Sequence, residues 1–198
     1  MEEFIALMGK FFPFPPTQGQ ADVLRVFATF MASPQPMSVM VLRGSAGTGK
    51  TTLTAAIVRM LTAYARKVVL LAPTGRAAKV LSVNAGMPAF TIHRKIYRQK
   101  TFEGDFNPND NLHTDTLFVA DEASMIANEG LTQSVFGSGR LLDDLVQYVY
   151  NGKGCRLMLI GDTAQLPPVG EEESPALSTA FMQGYGLRVF ESDLREVL

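Results

Sequence analysis

The chain has 198 residues, 46% hydrophobic and 19% charged, with a formal net charge of −1 and one cysteine. This size suits one domain with a real core, or a domain carrying a small insertion. The charge balance excludes a globally basic nucleic-acid binder, so any such contact must come from a local patch. A lone Cys155 excludes an intrachain disulfide, and no apolar run approaches the roughly 20 residues of a membrane span. The acidic start MEEF is not a signal peptide, and together these features fit the cytoplasm.

In chain order, residues 1–16 end in FFPFPP, which cannot be regular helix, and are expected to form an arm that packs through its aromatics. Thr17 and Gln20 have capping-box spacing, and Val23, Leu24, Phe27, Phe30 and Met31 follow on one helical face. A strand is predicted at about 38–43, then a glycine-rich loop and a helix to about Arg66. A second strand runs from Val68 to Ala72. Pro73-Thr74-Gly75 breaks it, with a helix from Arg76 to Leu81 and another short one opened by Thr91-Ile92-His93. Residues 100–114 are polar and turn-rich. A third strand covers Thr116 to Ala120. A helix with Leu141, Leu142, Leu145, Val146 and Val149 on one face precedes a fourth strand, Arg156 to Ile160, with Cys155 as a small buried residue at its start. A loop with Glu171-Glu172-Glu173 and a last strand near Leu187 to Phe190 complete the chain. Short continuous apolar strands alternating with helices predict an α/β fold, a mostly parallel sheet with helices on both faces.

Three loops after buried strands carry chemistry. Gly44-Ser45-Ala46-Gly47-Thr48-Gly49-Lys50-Thr51-Thr52 satisfies the phosphate-loop pattern and sits between a strand and a helix. Its glycines let the backbone approach phosphate oxygens, Lys50 can reach the β- and γ-phosphates, and the Thr51 hydroxyl can meet Mg²⁺. Asp121 and Glu122 end the third strand. An acid there can hold Mg²⁺, and its neighbour can orient and deprotonate water. The loop Gly161-Asp162-Thr163-Ala164-Gln165-Leu166-Pro167-Pro168 offers Gln165, with donor and acceptor on one side chain, to the γ-phosphate or its water.

These motifs together resemble the first, RecA-like motor domain of a superfamily 1 DNA helicase of the RecD-like branch, the exodeoxyribonuclease V alpha-subunit type. GSAGTGKTT resembles motif I, LAPTGRAAKVL motif Ia, TIHR the element after it, VADEASM motif II and LIGDTAQLPPVG motif III. The UvrD-like branch differs in motifs II and III. The resemblance implies a RecA-like phosphate-loop domain over 17–198. It further implies ATP and Mg²⁺ as cofactors and translocation on single-stranded DNA or a DNA fork, typically 5′ to 3′, with roles in repair and recombination. It implies that Gln20 reads adenine, that Lys50, Glu122 and Gln165 act in hydrolysis, and that Thr51 and Asp121 hold the metal. Pro73, Thr74, Gly75, Thr91, His93 and Arg94 match elements lining the DNA path. The alternatives are that Gln20 only caps its own helix and that His93 is a structural histidine near a helix start. The basic run Arg94, Lys95, Arg98 and Lys100 reads as phosphate contact or as a solvated face. The interval of about 95–115 has room for one short hairpin, the family's pin or 1B insertion, with Phe102 or Phe106 at its tip, or for a plain loop. The family usually continues past Leu198 into a second motor domain, absent here, so the expectation is an N-terminal fragment holding half an ATP site and nearly inactive alone. The alternative function is a non-translocating ATP-dependent switch or docking module of a nuclease or repair complex. An unrelated phosphate-loop ATPase is disfavoured by the motif III string.

Overall fold

The computed structural model describes residues 2–99, 106–129 and 137–197. In chain order the elements are α1 (Glu2–Gly9), α2 (Gln18–Ala32), β1 (Ser38–Gly44), α3 (Lys50–Ala63), β2 (Lys67–Ala72), α4 (Gly75–Ala85), β3 (Ala89–Thr91), α5 (Ile92–Ile96), β4 (Tyr97–Gln99) and β5 (Phe106–Pro108). They continue with β6 (Thr116–Ala120), α6 (Leu141–Asn151), β7 (Arg156–Gly161), α7 (Thr179–Gly184) and β8 (Arg188–Leu194); short 3-10 turns span Ala123–Met125 and Pro175–Leu177.

Six strands form one sheet in the order β3-β2-β6-β7-β1-β8, every pairing parallel. Its central strands are apolar throughout because both faces are covered, and the period of two sorts their side chains between two cores. Val39, Val41, Val69, Leu71, Phe118, Leu157 and Leu159 face the side packed by α5, α6 and α7. Met40, Leu42, Leu70, Leu117, Val119, Met158 and Ile160 face α1 to α4. The α/β architecture is the one expected.

Four elements differ from the reading of the sequence. The N-terminal arm is helical over Glu2–Gly9, ahead of the aromatic and proline stretch, and buries Met8 in the α1–α4 core. Phe11 and Phe12 pack on that core, while Phe14 is exposed. Strand β3 is three half-buried residues, too short for a periodic signal. Helix α7, six residues, and the extension of β8 to Leu194 also escaped notice. The β8 run Glu191-Ser192-Asp193 reads as polar because it is an edge, where charge discourages pairing with other chains. Arg43 neutralises it, reaching Glu191 and Asp193 at 2.8 Å each.

The interval 95–115 holds a two-stranded antiparallel ribbon, β4 against β5, pairing Tyr97 with Pro108 and Gln99 with Phe106. Lys100 and Phe102 lie outside the described residues.

Candidate functional site

The strand order places the chemistry. At the carboxyl ends of β6, β7 and β1, neighbours in the sheet, lie Asp121-Glu122, the Gln165 loop and the glycine loop. At the carboxyl ends of β2 and β3, next along the same edge, lie Pro73-Thr74-Gly75 and Thr91-Ile92-His93, with Ala72 paired to Thr91. Ligands of open parallel sheets bind at this edge.

Gly44 ends β1, and α3 begins at Lys50. Gly49, its N-cap, is left-handed at φ 84° and gives no side-chain cap, so the first N–H groups of α3 point out of the loop without a side-chain acceptor. A Cβ on Gly44 would stand 2.8 Å from Thr48 Oγ1 and 3.0 Å from Leu194. Thr48 is buried and donates its hydroxyl to Ser45 O at 2.8 Å, fixing the loop. Lys50 Nζ donates to Gly44 O at 2.6 Å and Ser45 O at 2.8 Å, so its ammonium lies along the loop's own carbonyls. Thr51 and Thr52 are exposed beside it, and Ala46 with Gly47 completes the loop's open rim.

The five residues of β6 are all buried and carry Asp121 to the sheet edge. Glu122 takes a left-handed turn at φ 54° that opens the 3-10 turn, and its N–H donates to Asp121 Oδ1 at 2.9 Å. Burial, with the Glu122 charge beside it, holds the Asp121 carboxyl above its ordinary range against the pull of that N–H and of Lys50. Gln165 is held from both sides: its Nε2 donates to Glu122 Oε2 at 3.3 Å, and its Oε1 accepts from Ser124 Oγ at 2.7 Å. Asp162 shapes the turn, accepting from Ala164 N at 2.8 Å and, through its carbonyl, from Gln165 N at 3.2 Å. Gly161 is required there, since a Cβ would come within 2.9 Å of Ser124 N.

Thr51, Thr74, Arg76, Asp121, Glu122 and Gln165 line one open cleft of about 340 Å³. A larger apolar groove of about 760 Å³, between α1, α2 and α3, carries none of them, so volume does not locate the chemistry. Among the cleft's oxygen donors, the Asp121 carboxylate and the Thr51 hydroxyl beside the glycine loop suit Mg²⁺, which takes few protein ligands and shares the rest with phosphate and water. Among the described residues no cluster of three or more His, Cys, Asp or Glu could hold a metal by itself, as that mode of binding requires none.

The candidate DNA residues serve first as caps. Thr74 accepts from Ala77 N at 3.2 Å and Thr91 from Arg94 N at 3.2 Å, at the starts of α4 and α5. His93 is half-buried against Tyr97, ring centroids 5.7 Å apart, and burial lowers its pKa, so it is neutral at pH 7. Arg94 and Arg98 are exposed, but Lys95 lies over the Phe90 ring at 5.4 Å. Gln20 is buried in a complete capping box, its Oε1 accepting from Thr17 N at 3.0 Å. Sequence reading assigned nothing to Arg76 and Ser124. Both sit inside quoted motifs, and only their convergence on Gln165 and the cleft singles them out.

This edge brings a glycine loop, two adjacent carboxylates and a glutamine together on a parallel α/β sheet. A family profile described as AAA domain matches residues 16–182. The chain is 36% identical over 135 residues to the ATP-dependent RecD2 DNA helicase of Deinococcus radiodurans, covering 66% of this chain and 16% of that protein. It is 28% identical over 173 residues to the ATP-dependent DNA helicase dda of Enterobacteria phage T4, covering 83% of this chain and 36% of that one. Its fold is similar to that of unliganded Pif1 from Bacteroides sp, with TM-score 0.57, 18% identity, 92% of this chain and 42% of the other covered. Pif1 helicase from Candida albicans gives TM-score 0.56 at 20% identity, covering 92% of this chain and 40% of that one. The chain thus belongs to the AAA domain family, and the two relatives it resembles in sequence are DNA helicases. It spans well under two thirds of the length of these curated relatives. Among the described residues no helix is long and apolar enough to cross a membrane.

Proposed function

We propose that this chain supplies the ATP-hydrolysing domain of a DNA helicase that moves 5′ to 3′ on single-stranded DNA, working with a second motor domain in cis. One observation carries the reading. The cleft that gathers Thr51, Asp121, Glu122 and Gln165 shares its wall with Thr74 and Arg76, in the segment that leads from β2 toward the candidate DNA edge. Hydrolysis and DNA contact would then act on one rigid sheet border.

On this reading ATP phosphates meet the glycine loop and the first N–H groups of α3. Lys50 leaves the carbonyls of Gly44 and Ser45 for phosphate oxygens, a stronger, charge-assisted acceptor. Gln20 faces the adenine. Thr51 and Asp121 would hold Mg²⁺, which neutralises charge on the phosphates when bound. Glu122 accepts the proton of the attacking water, and Gln165, already bonded to Glu122, orients that water and reports loss of the γ-phosphate to the Ser124 side. The RecD2 relative is an ATP-dependent DNA helicase, and a Pif1 helicase from Bacteroides similar in fold is in complex with ADP-AlF3 and ssDNA, which supports this reading.

The test uses the full-length protein. Hydrolysis should rise on adding oligo-dT, and a fork with a 5′ single-stranded tail should unwind where a 3′ tail does not. ATP binding with neither stimulation nor unwinding would favour a switch or docking module in a nuclease or repair complex.

A further inference from the structure

The Gln165 loop is tied to the segment after β6 at both of its ends. At the near end Gln165 meets Glu122 and Ser124. At the far end Glu171 closes the loop: its Oε1 accepts from the backbone N–H of Asn128 at 2.5 Å and of Glu129 at 2.7 Å. A carboxylate that takes backbone donors makes charge-assisted bonds, roughly twice as strong as neutral ones. The Glu171 N–H donates to Pro168 O at 3.1 Å and forms the closing turn. Gly170 lets the chain double back there at φ 92°, where a Cβ would stand 2.3 Å from Glu129 Oε2.

The far anchor is itself fixed. Asn128 Oδ1 accepts from Asp143 N at 3.0 Å, and Ala127 O accepts from Leu142 N at 3.2 Å. Ala127 and Asn128 thereby cap the first turn of α6, whose N-cap Arg140 gives no side-chain bond. Leu142 and Leu145 hold that helix in the core, and Tyr185 at the end of α7 bonds the Asp143 carboxylate. Between the two ties of the loop lie Leu166-Pro167-Pro168-Val169-Gly170. Leu166 and Val169 are exposed and give this stretch no hold on the core. Its stiffness comes from the two prolines, whose φ is fixed near −65°, so a shift at Glu171 is passed along to Gln165 instead of being absorbed. Glu171 lies outside the cleft, in a separate hollow with Asn128, Glu129 and Phe181.

We propose that Glu171 is a positioning residue that clasps the Gln165 loop to the start of α6 and so holds the Gln165 amide in register with Glu122 and the attacking water. This rests on the hydrolytic reading of the cleft above. Without the clasp Gln165 keeps only its bonds to Ser124, at 2.7 Å, and to Glu122, at a long 3.3 Å. The glycine loop is untouched, so the loss falls on turnover and not on ATP binding.

The experiment measures steady-state ATPase of the full-length protein on saturating oligo-dT. The variants are Glu171→Ala, Glu171→Gln, Gln165→Ala and the double variant Glu171→Ala/Gln165→Ala. Glu171→Ala should lower kcat roughly ten- to a hundredfold, the scale of a misplaced catalytic group, with KM for ATP within about twofold. Glu171→Gln keeps an acceptor for Asn128 and Glu129 and should recover most of that loss. The double variant should match Gln165→Ala within about twofold, because residues acting through one contact are not additive. Losses that multiply in the double variant would overturn the inference, as would an unchanged kcat or a raised KM in Glu171→Ala. If Glu171→Ala does not fold, Glu171→Asp, with its charge one methylene short, should show the same fall in kcat at unchanged KM. Gln165→Ala at the wild-type rate would instead overturn the hydrolytic role of Gln165, and the clasp with it.

Discussion

At the residue scale the proposed roles separate binding from turnover. Lys50→Ala removes a charge-assisted contact, and full-length protein should bind ATP roughly ten- to a hundredfold more weakly. Glu122→Gln keeps a polar neighbour for Gln165 and loses the base, so binding persists while single-turnover hydrolysis collapses. Normal hydrolysis by that variant would remove Glu122 from the role. Asp121 carries a stability cost with a definite sign. Burial foremost, with Glu122 beside it, raises its pKa in the folded state, so the folded protein holds that proton more tightly than the unfolded chain. The resulting stabilisation is present below the ordinary carboxylate value and is lost as pH rises through the folded value. Asp121→Asn should therefore raise the Tm at pH 7, with a smaller gain in acid, while weakening Mg²⁺-dependent nucleotide binding. A Tm that falls at pH 7 would contradict this. Gln20 has two separable duties. Gln20→Glu can keep the capping box, whose third position favours Glu, but loses the amide donor. A preference for ATP over GTP that survives this change would limit Gln20 to capping.

At the element scale, helix starts decide which loops reach the sheet edge. Thr17→Ala deletes a cap worth about 0.5–2 kcal/mol, so the Tm should drop by about 2–4 °C per kcal/mol for a chain of this size. Nucleobase preference should not change, which distinguishes the cap from base reading. The basic cluster divides by element as well. Arg94 and Arg98 are exposed, while Lys95 is engaged with Phe90. Reversing Arg94 and Arg98 should weaken single-strand binding and flatten its salt dependence by about 0.7 per lost phosphate contact. His93→Ala should leave that slope intact, since burial keeps the imidazole neutral. A slope unchanged in the arginine variant would make the cluster a solvated face.

At the scale of the whole molecule, the sheet sets the candidate ATP groups on β6, β7 and β1 beside the candidate DNA groups on β2 and β3, and leaves the cleft open. On the proposed reading, a second motor domain in cis supplies further positive charge at the γ-phosphate. Residues 1–198 alone should bind ATP weakly and hydrolyse it about 10³–10⁵-fold more slowly than the full-length protein on DNA, the usual consequence of losing an arginine finger. Steady-state ATPase with and without oligo-dT checks this. A fragment rate within about tenfold of the full-length rate would mean that the cleft, with Arg76 on its wall, is sufficient.

The central strands and the three chemical loops were legible in the sequence. A strand buried on both faces must be a continuous apolar run, and a phosphate loop must place glycine, lysine and threonine at fixed steps. Those constraints act between neighbours along the chain. Tertiary structure alone decided which strands are adjacent, and so that Gln165 meets both Glu122 and Ser124, and that Thr74 and Arg76 share a cleft with Asp121. It also decided the short elements: β3 and α7 carry too few residues for a period to emerge, and the charged edge β8 pairs because Arg43 reaches Glu191 and Asp193 across the strands. Hydrogen bonds from Tyr97 to Asp144 and from Asn111 to the end of α6 join residues far apart in sequence. Nothing local marks such pairs, because each is satisfied only by a partner that folding delivers.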